Sequence, residues 1–202
     1  FKFDDAIEVL TDYHANGSYE TLRHHVKLLD EPDYAYMIRT TDFESENYEK
    51  DVKYVDEHAY NHLKKTKLFG GEIVINKIGS AGSVYLMPFL NRPVTLGMNQ
   101  FMIRVKKDNN PYFIFVFLKT KIGHKIIERQ VNGTVPFTIT KDGVREVLIP
   151  KIEILIQKEI GVMVEKHLKL KHLSQSLYTQ AQEFLERELG LDKLVFDKPL
   201  SY

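Results

Sequence analysis

Along the first 150 residues, short apolar segments alternate with Gly, Asn and Pro punctuation, the pattern of a small sheet-containing domain. Residues 34–41 read as a strand. Residues 72–78 alternate, with Ile73, Ile75 and Lys77 set against Val74, Asn76 and Ile78, and 99–105 read as a third strand. Residues 82–86 and 145–149 add two more. Helical signals interrupt them: Ser18 as N-cap for 19–29, Asp56 as N-cap for 57–65, and Pro111 in the first turn of a segment reaching residue 122. Residues 112–118, Tyr-Phe-Ile-Phe-Val-Phe-Leu, suit strand and helix alike, so only burial follows from them. Helices and strands in no regular βαβ order predict an α+β class: a mixed, mostly β globular domain.

After Pro150 the period changes. Ile156, Ile160, Met163, His167, Leu170, Ser174, Leu177, Ala181 and Phe184 recur at gaps alternating four and three, the seam of a heptad helix. Val164, Leu168, Leu185 and Leu189 widen that seam, and Gly190 is a natural stop. A helix over 151–189 would be about 58 Å long. Such a stripe needs a partner helix, and the polar His167 and Ser174 within it are either register devices or hydrated defects. The chain therefore divides into a globular domain over 1–150, a long coiled-coil helix over 151–190, and a tail over 191–202.

Charge sharpens this division. The formal net charge is zero, but 1–60 carry 6 Lys+Arg against 15 Asp+Glu and 61–145 carry 14 against 4. The basic middle can supply phosphate contacts or simply be a solvated face. The absence of cysteine removes disulfides, thiolate metal sites and a Cys nucleophile. No apolar run of about 18 residues is present and the first residues lack signal-peptide character, so a cytoplasmic setting is expected. The triplets Asn16-Gly17-Ser18 and Asn132-Gly133-Thr134 read as turns.

Read in order, Tyr36-Met37-Ile38-Arg39-Thr40-Thr41-Asp42-Phe43, then residues 68–83 (LFGGEIVINKIGSAGS), then Asn99 opening a strand, resemble the target-recognition domain of type I restriction-modification specificity subunits. Residues 112–118, Gly133 followed by Ile139, and Leu148-Ile149-Pro150 leading to Gln157 and Ile160 resemble that family's domain end and spacer helix. The proline-rich junction common in the family is reduced here to Pro150. A full subunit of the family resembles two such modules in tandem, where this sequence has one. It is either a fragment or a half-subunit that dimerises, and the irregular tail favours the fragment.

The resemblance implies a non-catalytic DNA-recognition component with no cofactor of its own. Its implied partners are double-stranded DNA, methyltransferase subunits and, in some systems, a restriction subunit, together with a second copy or second half paired through the long helix. A strut of about 58 Å corresponds to about 17 base pairs as an upper guide to half-site spacing. Base reading needs polar side chains on loops held by a scaffold. The candidates are Arg39, Thr40, Thr41, Asn76, Lys77, Ser80, Ser83, Gln100, Asn132 and Thr134, and each type also serves as an ordinary turn or hydrogen-bonding residue. Lys119, Lys121, Lys125, Arg129, Lys141 and Arg145 are the candidate phosphate contacts.

Two other readings compete. A coiled-coil adaptor without a DNA role would explain 151–189 but leave the basic middle without a purpose. A metal hydrolase would use His58 and His62, an i, i+4 pair, but Ala59-Tyr60-Asn61 supplies no Glu beside the first His, so the zincin pattern is absent. No Gly-x-Ser-x-Gly elbow occurs, and Gly79-Ser80-Ala81-Gly82 lacks the Gly-Lys-Ser/Thr of a phosphate loop.

Overall fold

The computed structural model describes residues 1–49 and 51–191, the side chain of His172 excepted. The elements run α1 (Phe3–Ala6), β1 (Ile7–Asp12), α2 (Tyr19–His25), β2 (Ala35–Ile38), α3 (Thr40–Ser45), β3 (Lys53–Val55), α4 (Glu57–His62), β4 (Lys67–Leu68), β5 (Ile73–Asn76), β6 (Val84–Leu86), β7 (Val94–Leu96) and β8 (Gln100–Val105). They continue with α5 (Pro111–Lys119), α6 (Lys121–Glu128), β9 (Val131–Asn132), β10 (Thr138–Ile139), α7 (Lys141–Glu146) and α8 (Ile154–Glu188). The class is α+β: strands supply the centre, and the helices around them hold more residues.

Two four-stranded sheets carry the core. One has the order β1-β8-β5-β6 and is antiparallel throughout; the other has the order β3-β2-β7-β4, with β2 and β7 parallel. Strand β2 shows how they are buried. Tyr36 and Ile38 join a cluster with Val74 and Met102 of the first sheet and with Met87 just after β6, whereas Ala35 and Met37 meet Leu22, Ala59 and Leu63 from the α2 and α4 side. A strand covered on both faces has no reason to alternate. The same holds for β5, which lies within the strand expected over 72–78 and whose four residues are all buried.

Caps set most helix boundaries. Ser18 Oγ accepts the Thr21 N–H and Asp56 Oδ1 the Ala59 N–H, opening α2 and α4 where expected. Asn110 Oδ1 accepts the N–H groups of Tyr112 and Phe113 with Pro111 at the first position, which makes the ambiguous 112–118 stretch a helix. It does not continue to residue 122: Thr120 closes α5 and caps α6 by accepting the Gly123 N–H. The expected strand over 145–149 is also corrected. Thr140 Oγ1 accepts the Gly143 N–H and starts α7, so Arg145 is helical and only the following segment pairs, through Lys2–Leu148 and reciprocal Phe1–Ile149 hydrogen bonds.

The chain divides into two compact units, Phe1–Gly161 and Val162–Tyr202. The first turns of α8 belong to the former. Gln157, buried, accepts the Asn110 N–H at 3.2 Å and donates to the Ile152 carbonyl at 3.1 Å. Gln157→Ala therefore leaves two backbone groups without partners and costs about 1–2 kcal/mol in chemical denaturation.

Helix α8 has 35 residues, about 52 Å at the usual rise. In the second unit its seam positions Met163, Leu170, Leu177 and Phe184 are all more than half exposed. The expected tail lies outside the described residues beyond position 191. Among the described residues no helix is long and apolar enough to cross a membrane.

Candidate nucleic-acid interface

The turn between β5 and β6, residues 77–83, is the centre of the candidate site. Asn76 N–H donates to the Ser83 carbonyl and Gly82 N–H to the Asn76 carbonyl, which closes the turn. Gly79 and Gly82 both have φ of 83°, a left-handed backbone that glycine adopts without strain. A Cβ on Gly82 would meet Val131 at 3.3 Å and Ile127 at 3.8 Å, so the end of α6 and the start of the β9–β10 hairpin pack on this turn. The hairpin is tied to it from the other side: Gly79 N–H donates to the Phe137 carbonyl, Ile139 N–H to the Lys77 carbonyl, and Ile78 bridges Thr138.

Beneath the turn, Asn76 is fully buried and takes a hydroxyl hydrogen bond from Thr40 at 3.0 Å while donating to Ser80 Oγ at 2.8 Å. Ser80 and Tyr85 both reach Glu44 of α3. Burial and the nearby Glu44 carboxylate push the Tyr85 phenol above its ordinary range. Lys119, at the end of α5, stands 6.0 Å over the Tyr85 ring. The N-terminus of α3, the 77–83 turn, the α5–α6 corner and the β9–β10 hairpin thus form one contiguous surface.

Its electrostatics separate the basic residues into two groups. Asp12, at the end of β1, accepts from Lys77 Nζ at 3.0 Å and from Lys141 Nζ at 2.9 Å, and Arg145 pairs with Asp4 at 2.7 Å. Those three cations are already neutralised within the fold. Lys121, Lys125 and Arg129 are exposed, with no ion pair among the described residues. At four-residue spacing they fall within about 80° of arc on one side of α6. His124 and Glu128 on the same helix pair with each other at 3.1 Å.

The histidines assemble elsewhere. His25 Nδ1 lies 2.9 Å from His58 Nε2, and the His25 and His62 rings stack with centroids 4.5 Å apart. Desolvation, followed by the neighbouring His62, His24 and His58, lowers the His25 pKa from its ordinary value. Among the described residues no group of three or more His, Asp or Glu side chains is placed to hold a metal ion.

With this geometry in view, a family model described as the type I restriction modification DNA specificity domain matches residues 16–182. The chain belongs to this family. No curated protein matches it. Among solved structures, the chain is similar to a type I restriction-modification system S subunit from M. genitalium at 17% identity, covering 95% of this chain and 48% of that one, with a TM-score of 0.49. It is also similar to the HsdS subunit from Thermoanaerobacter tengcongensis at 13% identity, covering 90% of this chain and 39% of that one, with a TM-score of 0.49. The chain spans less than half the length of either.

In this specificity domain the residues singled out from sequence sort by what the fold leaves free. Thr41, Ser80, Asn132 and Thr134 are exposed and Ser83 is half-buried, all on or beside the surface described. Asn76 and Gln100 sit opposite each other in the β5–β8 pairing, both fully buried, and among the described residues the Gln100 side chain has no hydrogen-bond partner. Both side chains lie inside the fold, where Asn76 supports Thr40 and Ser80. Arg39 is held by Asp42 and by the Asp51 carbonyl, and Thr40 by Asn76. Sequence reasoning missed Asp12, Glu44 and Tyr85, which position the surface; no local signal marks them, because Asp12 meets Lys77 and Lys141 across 65 and 129 residues, and Glu44 meets Ser80 and Tyr85 across 36 and 41.

Proposed function

We propose that this chain is the non-catalytic specificity component of a type I restriction-modification system and reads one half of a bipartite site in double-stranded DNA. The observation that carries the reading is the set Lys121, Lys125 and Arg129, exposed on one side of a helix that packs on the turn bearing Ser80. Exposed cations without internal partners bind phosphate, and the adjoining polar turn and hairpin then face the groove. Base reading falls to Thr41, Ser80, Ser83, Asn132 and Thr134, with Arg39, Thr40 and Lys77 available if their present partners exchange. Phosphate contact falls to Lys119, Lys121, Lys125 and Arg129, whereas Lys141 and Arg145 keep their acids.

The exposed seam of α8 supports pairing with a second copy or second half through Ile156, Ile160, Met163, His167, Leu170, Leu177, Ala181 and Phe184. Such a pair would hold two reading domains at a fixed spacing. Methyltransferase subunits carrying the S-adenosylmethionine chemistry would dock beside it, with a restriction subunit in systems that cleave, all in the cytoplasm where the genome lies.

Binding to random duplex DNA at rising salt tests the reading. Wild-type affinity falls steeply, and the Lys121→Ala/Lys125→Ala/Arg129→Ala variant reduces the log–log salt slope by about 3, close to one per cation removed. Salt-indifferent binding, or none by a paired form of the chain, points to the adaptor reading instead.

A further inference from the structure

Three consecutive apolar residues stand at the tip of the β9–β10 hairpin. Val135 is 90% exposed and Phe137 52%, with Pro136 exposed between them. Isolated exposed apolar residues are ordinary, but a run of three in water marks a surface that meets something.

The tip is held in place. Phe137 accepts from the Gly79 N–H at 3.2 Å, and Asn132 Nδ2 donates to the Gln130 carbonyl at 3.1 Å. Gly133 has φ of 94°, and a Cβ there would lie 3.0 Å from the Pro136 carbonyl oxygen, so the loop closes tightly on itself. The hairpin leaves α6 directly after Arg129 and rests on the turn that carries Ser80. An apolar tip therefore stands on a surface that also carries the unpaired cations of α6 and the hydroxyls of Ser80 and Thr134.

The charge of that surroundings selects the occupant. Cations that engage phosphates bring whatever lies beside them to a groove, and the apolar feature that the major groove offers is the thymine 5-methyl group. Resting on the DNA-reading function proposed above, the geometry points to Val135 and Phe137 as contacts for thymine methyl groups. The tip is then a determinant of specificity that works by burial, beside the hydrogen-bonding residues Asn132 and Thr134. One buried methyl group corresponds to about a fourfold change in affinity.

The test uses the full chain and two random-sequence duplex pools, one with thymine and one with uracil in its place, which differ only in that methyl group. Bound DNA is recovered and sequenced for wild type, Val135→Ser, and Val135→Ser/Phe137→Ser. Wild type is expected to enrich a motif with thymine at one or two positions, each weakened about fourfold in the uracil pool. The double variant loses preference at those positions in both pools and retains the rest of the motif. Val135→Ser alone falls between. A wild-type motif indifferent to uracil overturns the inference without depending on how any variant folds, as does the same motif from wild type and double variant. If wild type retains DNA from neither pool, the DNA-reading function itself fails, an outcome distinct from a failure confined to the tip.

Discussion

Replacing Asp12 by Ala lowers the free energy of unfolding by about 3 kcal/mol in urea denaturation. The Asp12 side chain is 11% exposed and accepts from two lysines, Lys77 at 19% and Lys141 at 38% side-chain exposure. Without the carboxylate, two ammonium groups lose their partner in a site that water only partly reaches. The magnitude stays at the low end for a broken buried pair because solvent screens Lys141. Burial by itself pushes the Asp12 carboxyl up, but hydrogen bonds from Lys141 and Lys77 and their charges outweigh it, so the net shift is downward from 3.8. A depressed carboxylate contributes stability that is present above the unfolded value and lost as pH falls through the folded one. The gap between wild type and Asp12→Ala is therefore constant near neutrality and closes below about pH 4. A gap that persists unchanged into acid would mean that lost packing, and not lost charge, sets the effect. Because Lys77 opens the 77–83 turn and Lys141 opens α7, the variant also binds DNA more weakly than its charge gain suggests.

Gly123→Ala destabilises the domain by at least about 2 kcal/mol and weakens DNA binding with it. On an open helix the same change would stabilise by about 1 kcal/mol, since Ala is the better helix former. Here a Cβ would lie 2.0 Å from the Phe117 carbonyl oxygen and 2.8 Å from the Leu118 Cα, both backbone atoms that no rotamer change moves away. Overpacking of this kind costs about 3 kcal/mol or more, which exceeds the propensity gain. Either α6 moves or its first turn opens, and Lys121, Lys125 and Arg129 move with it. Thermal denaturation and the salt dependence of DNA binding measure the two consequences. A variant as stable as wild type would show that the α5–α6 corner yields freely.

Local chemistry was legible in the sequence wherever the partner lies within a few residues. Ser18, Asp56 and Pro111 mark helix starts because a cap binds N–H groups two or three residues on. Thr140 carries the same signal, whereas the apolar residues of 145–149 suit a strand, and the cap makes Arg145 and Glu146 helical. The alternation over 72–78 marks a strand, but which of its faces are covered depends on packing: β5 lies between β6 and β8 with all four of its residues buried.

The family, the α+β class and the heptad helix could be determined from sequence alone, since ordered motifs and hydrophobic periods are properties of the chain itself. Only the tertiary structure decided which cations are free. Lys77 and Lys141 find Asp12 at separations of 65 and 129 residues, and Arg145 finds Asp4 at 141. It also decided that Asn76 and Gln100 face each other inside the sheet while Ser80 and Thr134 stay in water. Composition counts charges and donors, but whether a buried partner already satisfies them depends on contacts between distant segments, which no local pattern records.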